Sequence, residues 1–219
     1  MKPVTIFLVV LCILITIYAW FSNTEYIFNE YGYSTENLFS GKFWILISSI
    51  FLHVNITHLI SNIVVLIIFG FALEGVIGSR KFLLIFFGGA FFGDLLSSLI
   101  YPPTQISIGA SAGIFAILAA TMLIKPIEIE LFLPIPLGII AIGYLIYAII
   151  GLITNYPPNV SHIAHIGGSL VGLFYGFYEK GIKSGLMIVI ALFLLLLFVP
   201  LIWNFWVLLL KIITSLFNI

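Results

Sequence analysis

Six side chains carry most of the chemistry this sequence can offer: Ser111, Asn62 and the four histidines His53, His58, His162 and His165. Serine is a weak nucleophile until a base takes its proton. Imidazole titrates near neutrality, so it can take that proton and return it to a leaving amine. Attack on an amide builds a tetrahedral oxyanion, which needs donors already in place. His58, Asn62 and the backbone N–H of Ser111 are the candidates. Asn62 follows His58 by four residues, so both project from one helix face. Gly168, Gly172 and Gly176 recur every four residues, and His165 precedes Gly168 by three, which puts the imidazole on the glycine face. Small residues at this spacing let helix backbones approach closely. The segment from Ser111 onward offers Ala112, Gly113, Ala116, Ala119 and Ala120 in return. If those faces pack, His165 is carried toward Ser111. No carboxylate other than Asp94 stands at a similar depth to orient the base, so the spacing predicts a Ser–His dyad and not a triad.

The elements that must hold these residues are membrane helices. Of 219 residues, 63% are hydrophobic and 7% charged, against about 25% charged in a soluble domain. Eight basic and eight acidic side chains cancel, which argues against a nucleic-acid partner, and a single cysteine, Cys12, excludes an internal disulfide framework. A span needs about 20 apolar residues. Seven candidates follow: 4–21, 58–77, 81–101, 110–124, 131–153, 162–178 and 185–210. The last contains Pro200 and is expected to kink or divide. Placing the N-terminus inside puts Lys2, Arg80, Lys81, Lys125, Lys180 and Lys183 on the inner side and Lys42 outside. The expectation is therefore one all-α polytopic membrane domain over 1–219, its site opening to the outside. The outer loop 22–57, with Tyr26, Phe28, Tyr31, Tyr33, Phe39, Phe43 and Trp44, is expected to lie partly embedded at the interface.

Taken singly, these residues have plainer readings. Gly109-x3-Gly113 alone is a helix-packing motif, and Asn62 alone is interhelical glue. His53 and His162 read as structural or interfacial and not catalytic. Glu74 is expected to brace the inner half of its helix near Arg80 and Lys81. Asp94 is expected to bond a neighbouring helix. Gly138, Gly143, Gly151 and Pro157-Pro158 read as a loosely packed fifth span, a candidate substrate gate. Four histidines would suffice for a tetrahedral metal site, a competing chemistry weakened by the lack of nearby carboxylates.

Three motifs in order change the weighting: Phe51-Leu52-His53-x4-His58-Leu59-x2-Asn62 with Gly70-x3-Glu74 and Gly78-Ser79; Gly109-Ala110-Ser111-Ala112-Gly113; and Ala164-His165-Ile166-Gly167-Gly168-x3-Gly172. Together they resemble the rhomboid intramembrane serine proteases over residues 40–178. The resemblance implies a six-helix core (1–178) with an added seventh C-terminal span (185–210). It implies Ser111 as nucleophile, His165 as general base, and His58 and Asn62 at the oxyanion. It implies transmembrane protein substrates cut in or near a span, and no cofactor. A catalytically inactive relative that binds membrane proteins is the alternative. A prokaryotic plasma membrane is the expected location. Three departures stand out. Trp44-Ile45 replaces a family Trp-Arg that braces the outer loop, Ala112 replaces a glycine after the nucleophile, and Phe115 replaces a tyrosine.

Overall fold

A computed structural model describes residues 2–129 and 135–217. The chain is all-α. Helix α1 runs Pro3–Phe21, followed by three short helices, α2 (Thr24–Tyr31), α3 (Thr35–Phe39) and α4 (Ile45–Ser48). The long helices then follow as α5 (Ile56–Ile77), α6 (Ser79–Ser97), α7 (Ser111–Ile124), α8 (Leu137–Thr154), α9 (His162–Lys180) and α10 (Ile182–Phe217). By length and composition α1, α5 and α8 can each cross a membrane unaided. Helix α7 has 14 residues, about 21 Å at 1.5 Å per residue, and its interior is almost wholly buried by its neighbours.

Local sequence accounts for the boundaries. Asn23, Ser34, Asn55 and Ser161 each accept from a backbone N–H in the first turn of the helix they precede. Gly78 (φ 79°) and Gly181 (φ 77°) turn α5 into α6 and α9 into α10 without a loop. Helix α6 stops at Ser97, four residues before the expected end. The next turn folds back onto the Leu96 and Ser97 carbonyls, and Pro102-Pro103 follows. The fifth long helix is described from Leu137, with Pro136 at its N-cap; positions 131–134 of the expected span lie outside the described residues. Helix α10 continues through position 200 as one helix and is not divided there.

The densest packing is among α6, α7 and α9. A Cβ on Gly168 would stand 1.9 Å from the Ala112 carbonyl oxygen, and one on Gly172 would stand 2.0 Å from that of Ala116. On the α6 side, a Cβ on Gly89 would reach the Ala116 methyl at 2.4 Å, and one on Gly93 the Ala164 carbonyl at 2.6 Å. Backbone lies on backbone across this seam, so the depth of each helix is set to within a fraction of a residue. The fifth span is not the loosely packed element its glycines suggest. Gly138 lies against Pro126 and Gly151 against the His162 ring, while Gly143 alone of the three has open space.

At the end of the bundle where α1 begins and α5 ends, Glu74 is buried. Its carboxylate accepts from the Val4 and Thr5 backbone N–H groups (3.1 and 2.9 Å), the Thr5 hydroxyl (2.8 Å) and the Ser79 hydroxyl (2.6 Å). The first N–H groups of a helix have no partner inside it, and the helix dipole favours an anion there. Glu74 thus locks α1 onto α5 and α6 through the α1 N-terminus, the bracing role expected of it. Lys81 pairs with Glu179 at 2.9 Å.

Candidate active site

Ser111 is the first residue of α7, and the turn before it explains its exposure to chemistry. Gly109 has φ 130°, a conformation that L side chains rarely adopt, and a Cβ there would meet the His58 ring at 2.7 Å. Ala110 then enters the helical region, and Ser111 starts the helix with its N–H among the groups left without an intrahelical partner. The His165 side chain comes from the second turn of α9. With α7 and α9 in backbone contact at Gly168, the Ser111 hydroxyl lies 2.9 Å from His165 Nε2. For Ser111 to donate, the imidazole proton must sit on Nδ1. That nitrogen is buried and has no partner among the described residues. The ring is held by packing: Phe115 stacks on it at 4.2 Å and 8°, and His162 meets it edge-on at 6.0 Å.

The pair lines a cavity of about 730 Å³. Its lining includes Asn55, Pro102, Gln105, Pro157 and Asn159 from the loops at one end, so it opens at the end of the bundle opposite Glu74. His58 and Asn62 both line it. Asn62 donates one amide hydrogen to the His58 carbonyl at 2.8 Å, which fixes the side chain and leaves its second hydrogen free for a ligand. Four of the sequence-predicted groups, Ser111, His165, His58 and Asn62, therefore share one chamber.

His53 does not join them. It is fully buried, and the Thr16 hydroxyl, which donates to the Phe51 carbonyl at 2.9 Å, sits 3.0 Å from its Nδ1. The Trp20 indole donates to its backbone carbonyl at 2.9 Å. His53 thus ties the outer loop to α1. The histidines form two edge-on pairs, His53 with His58 and His162 with His165. Among the described residues no three His, Cys, Asp or Glu side chains converge in metal-binding geometry.

Asp94 departs from expectation. It is 8% exposed and lines the cavity, yet among the described residues no group hydrogen-bonds its carboxylate. Only its backbone carbonyl is engaged, by Ser98 at 3.2 Å. Just above, the Tyr33 phenol meets Ser98 Oγ at 2.6 Å, and Tyr33 pairs with Ser107 to close the outer loop over the site. Burial raises the Tyr33 phenol above the ordinary tyrosine range. The Ser98 bond works against that rise, and the nearby Asp94 adds to it. Sequence reasoning also missed Tyr144 and Tyr147 of α8, which line the cavity. They lie at adjacent positions of one helix face, a pattern that ordinary lipid-facing aromatics share.

A family model for the rhomboid domain matches residues 40–182. This chain belongs to the rhomboid family. The rhomboid is 32% identical over 155 residues to Rhomboid protease GluP of Bacillus subtilis, covering 70% of this chain and 29% of that protein. It is 28% identical over 169 residues to the mitochondrial RHOMBOID-like protein 12 of Arabidopsis thaliana (68% and 50%). It is 30% identical over 149 residues to Rhomboid-like protease 3 of Toxoplasma gondii (65% and 54%). The aligned part spans about half the length, or less, of these relatives. The family departures find local answers here. The outer loop, lacking an arginine after Trp44, is held by Lys42–Glu30 at 2.5 Å, by the Trp44 indole on the Glu30 carbonyl at 3.2 Å and by Ser48 on the Tyr31 carbonyl at 2.7 Å. The Ala112 methyl sits against Gly93, which has no side chain to collide with it.

Proposed function

We propose that this rhomboid is an intramembrane serine endopeptidase, hydrolysing peptide bonds in or near transmembrane segments of other membrane proteins. The observation that carries the reading is the 2.9 Å contact between Ser111 and His165 inside a cavity that opens at one end of the bundle. His165 takes the Ser111 proton as Oγ attacks the scissile carbonyl. The resulting oxyanion is held by the free Ser111 N–H at the positive end of α7, by Asn62 and by His58. His165, now imidazolium, protonates the leaving amine. Among the described residues no carboxylate hydrogen-bonds His165, and the face of Phe115 stabilises the cation in part as a cation–π partner. Water entering through the open rim then hydrolyses the acyl-enzyme with His165 as base.

The charge bias of the loops supports a cytoplasmic N-terminus and a cavity facing outward, with the aromatic outer loop resting partly in the interface. Phe39, Phe43 and Trp44 point away from the protein, as such a loop requires. The prokaryotic plasma membrane expected from the sequence draws no support from relatives that include plant and parasite proteins.

Purified protein in vesicles with a transmembrane substrate tests the proposal. Ser111→Ala and His165→Ala are expected to lose cleavage by about 10³-fold or more. A fluorophosphonate is expected to label wild type at Ser111 and neither variant. Full cleavage by Ser111→Ala would refute the assignment. Absence of both labelling and cleavage in folded wild type would favour the non-hydrolytic scaffold.

A further inference from the structure

Asp94 is the one formally charged side chain among the described residues that line the Ser111 cavity. It comes from the C-terminal half of α6, is more than nine-tenths buried, and has no hydrogen-bond partner for its carboxylate among the described residues. The serine hydroxyls that follow it in the chain are committed elsewhere. The Ser98 hydroxyl bonds the Asp94 backbone carbonyl and pairs with Tyr33, and the Ser97 hydroxyl pairs with Ser161 at 2.9 Å. A buried carboxylate without a partner is stabilised by any donor or cation brought to it. Water and whatever enters the cavity can supply the missing donor. The chamber has room for several side chains, and no lysine or arginine among its lining residues competes for the charge.

Resting on the endopeptidase reading, we propose that Asp94 is a specificity-determining residue. It receives a basic side chain of the substrate close to the scissile bond and rejects an acidic one there. Asp94 does not touch the reacting atoms, so its effect lies in which substrates are cut. A cation brought beside it gains an ion pair partly shielded from bulk solvent, whereas an acidic residue meets like charge, and discrimination comes from both.

The experiment uses the full chain in vesicles with a transmembrane substrate that wild type cleaves. Each of the residues flanking the cut is replaced in turn by Lys or Glu, and kcat/KM is measured. At one or more of these positions the Lys substrate is expected to exceed the Glu substrate by about tenfold or more. Asp94→Asn, which keeps the shape and removes the charge, is expected to bring that ratio to within about threefold, and Asp94→Glu to preserve it. Elution profile and melting temperature establish that both variants fold, and the wild-type ratio stands as a test even if one does not. The inference is overturned if wild type shows no Lys-over-Glu preference at any position, or if Asp94→Asn retains it. Ser111 labelling separates the two proposals. Labelled enzyme without the preference sinks the specificity role alone, whereas unlabelled, inactive enzyme sinks both.

Discussion

Two buried carboxylates sit at opposite ends of this molecule, and they are opposites in every respect except burial. Glu74 accepts four hydrogen bonds from the α1 N-terminus, Thr5 and Ser79. Asp94 accepts none through its carboxylate among the described residues and faces the cavity. The same split extends to their surroundings. Around Glu74 the polar atoms are paired. At the end of the bundle that holds Asp94 the His165 Nδ1 lacks a partner among the described residues, and the α7 N-terminus holds N–H groups without an intrahelical partner. Satisfied polar groups hold helices in place, while unsatisfied ones are available to a ligand. One end of the rhomboid is therefore a brace and the other the proposed reaction chamber, joined by the glycine seam that sets the depth of α7 and α9.

Breaking the seam is expected to have the largest effect. Gly168→Val would force a side chain into the Ala112 carbonyl, already 1.9 Å from an ideal Cβ position, and should destabilise by roughly 4 kcal/mol or more. Cleavage should fall with stability, because the Ser111–His165 contact depends on that approach. Melting in detergent and activity assays at matched folded fraction check this. Wild-type stability would show that the two helices do not lie so close. Next comes the brace. Glu74→Ala leaves the buried Thr5 donors without an acceptor and should lower stability by about 3 kcal/mol. At a temperature where the variant is folded, its turnover should match wild type. A catalytic defect with unchanged melting would reverse the roles assigned to the two ends.

Asn62→Ala tests the chamber from the other direction. Removing one oxyanion donor is expected to reduce kcat by about 10²-fold, with melting shifted by less than about 1 kcal/mol equivalent, since its internal bond is to its own helix. A large stability loss without a rate effect would make Asn62 a packing residue. The smallest change should come from Asp94→Asn. Replacing an unpartnered buried carboxyl by an amide of the same shape should leave stability unchanged or raise it by about 1 kcal/mol. A marked loss would mean that Asp94 is paired within the fold, as Glu74 is, and the contrast between the two would fail.

Much of this arrangement was legible beforehand. Gly168, Gly172 and Gly176 at four-residue spacing announced a close helix contact, and His165 three residues before Gly168 announced which side chain that contact would carry. His58 and Asn62 on one helix face were equally readable. The partners of the two carboxylates were not. Little that is local distinguishes Glu74, three of whose four hydrogen bonds come from α1 about 70 residues away, from Asp94, whose following serines are already taken. Nor does spacing reveal that Gly138 and Gly151 are filled from outside their helix by Pro126 and His162.

Residue types and their periodicity, on their own, determined that this chain is built from apolar helices, which face each polar group occupies, and that a hydroxyl and an imidazole lie on faces able to pack. Those properties follow from helix geometry and from the cost of polar groups in an apolar medium, both of which act locally. The tertiary structure alone decided that the two groups stand 2.9 Å apart, that one buried carboxylate is satisfied and that the other looks into the cavity. Hydrogen bonds are made or lost over a few tenths of an ångström, and the separation of two helices is set by every side chain between them.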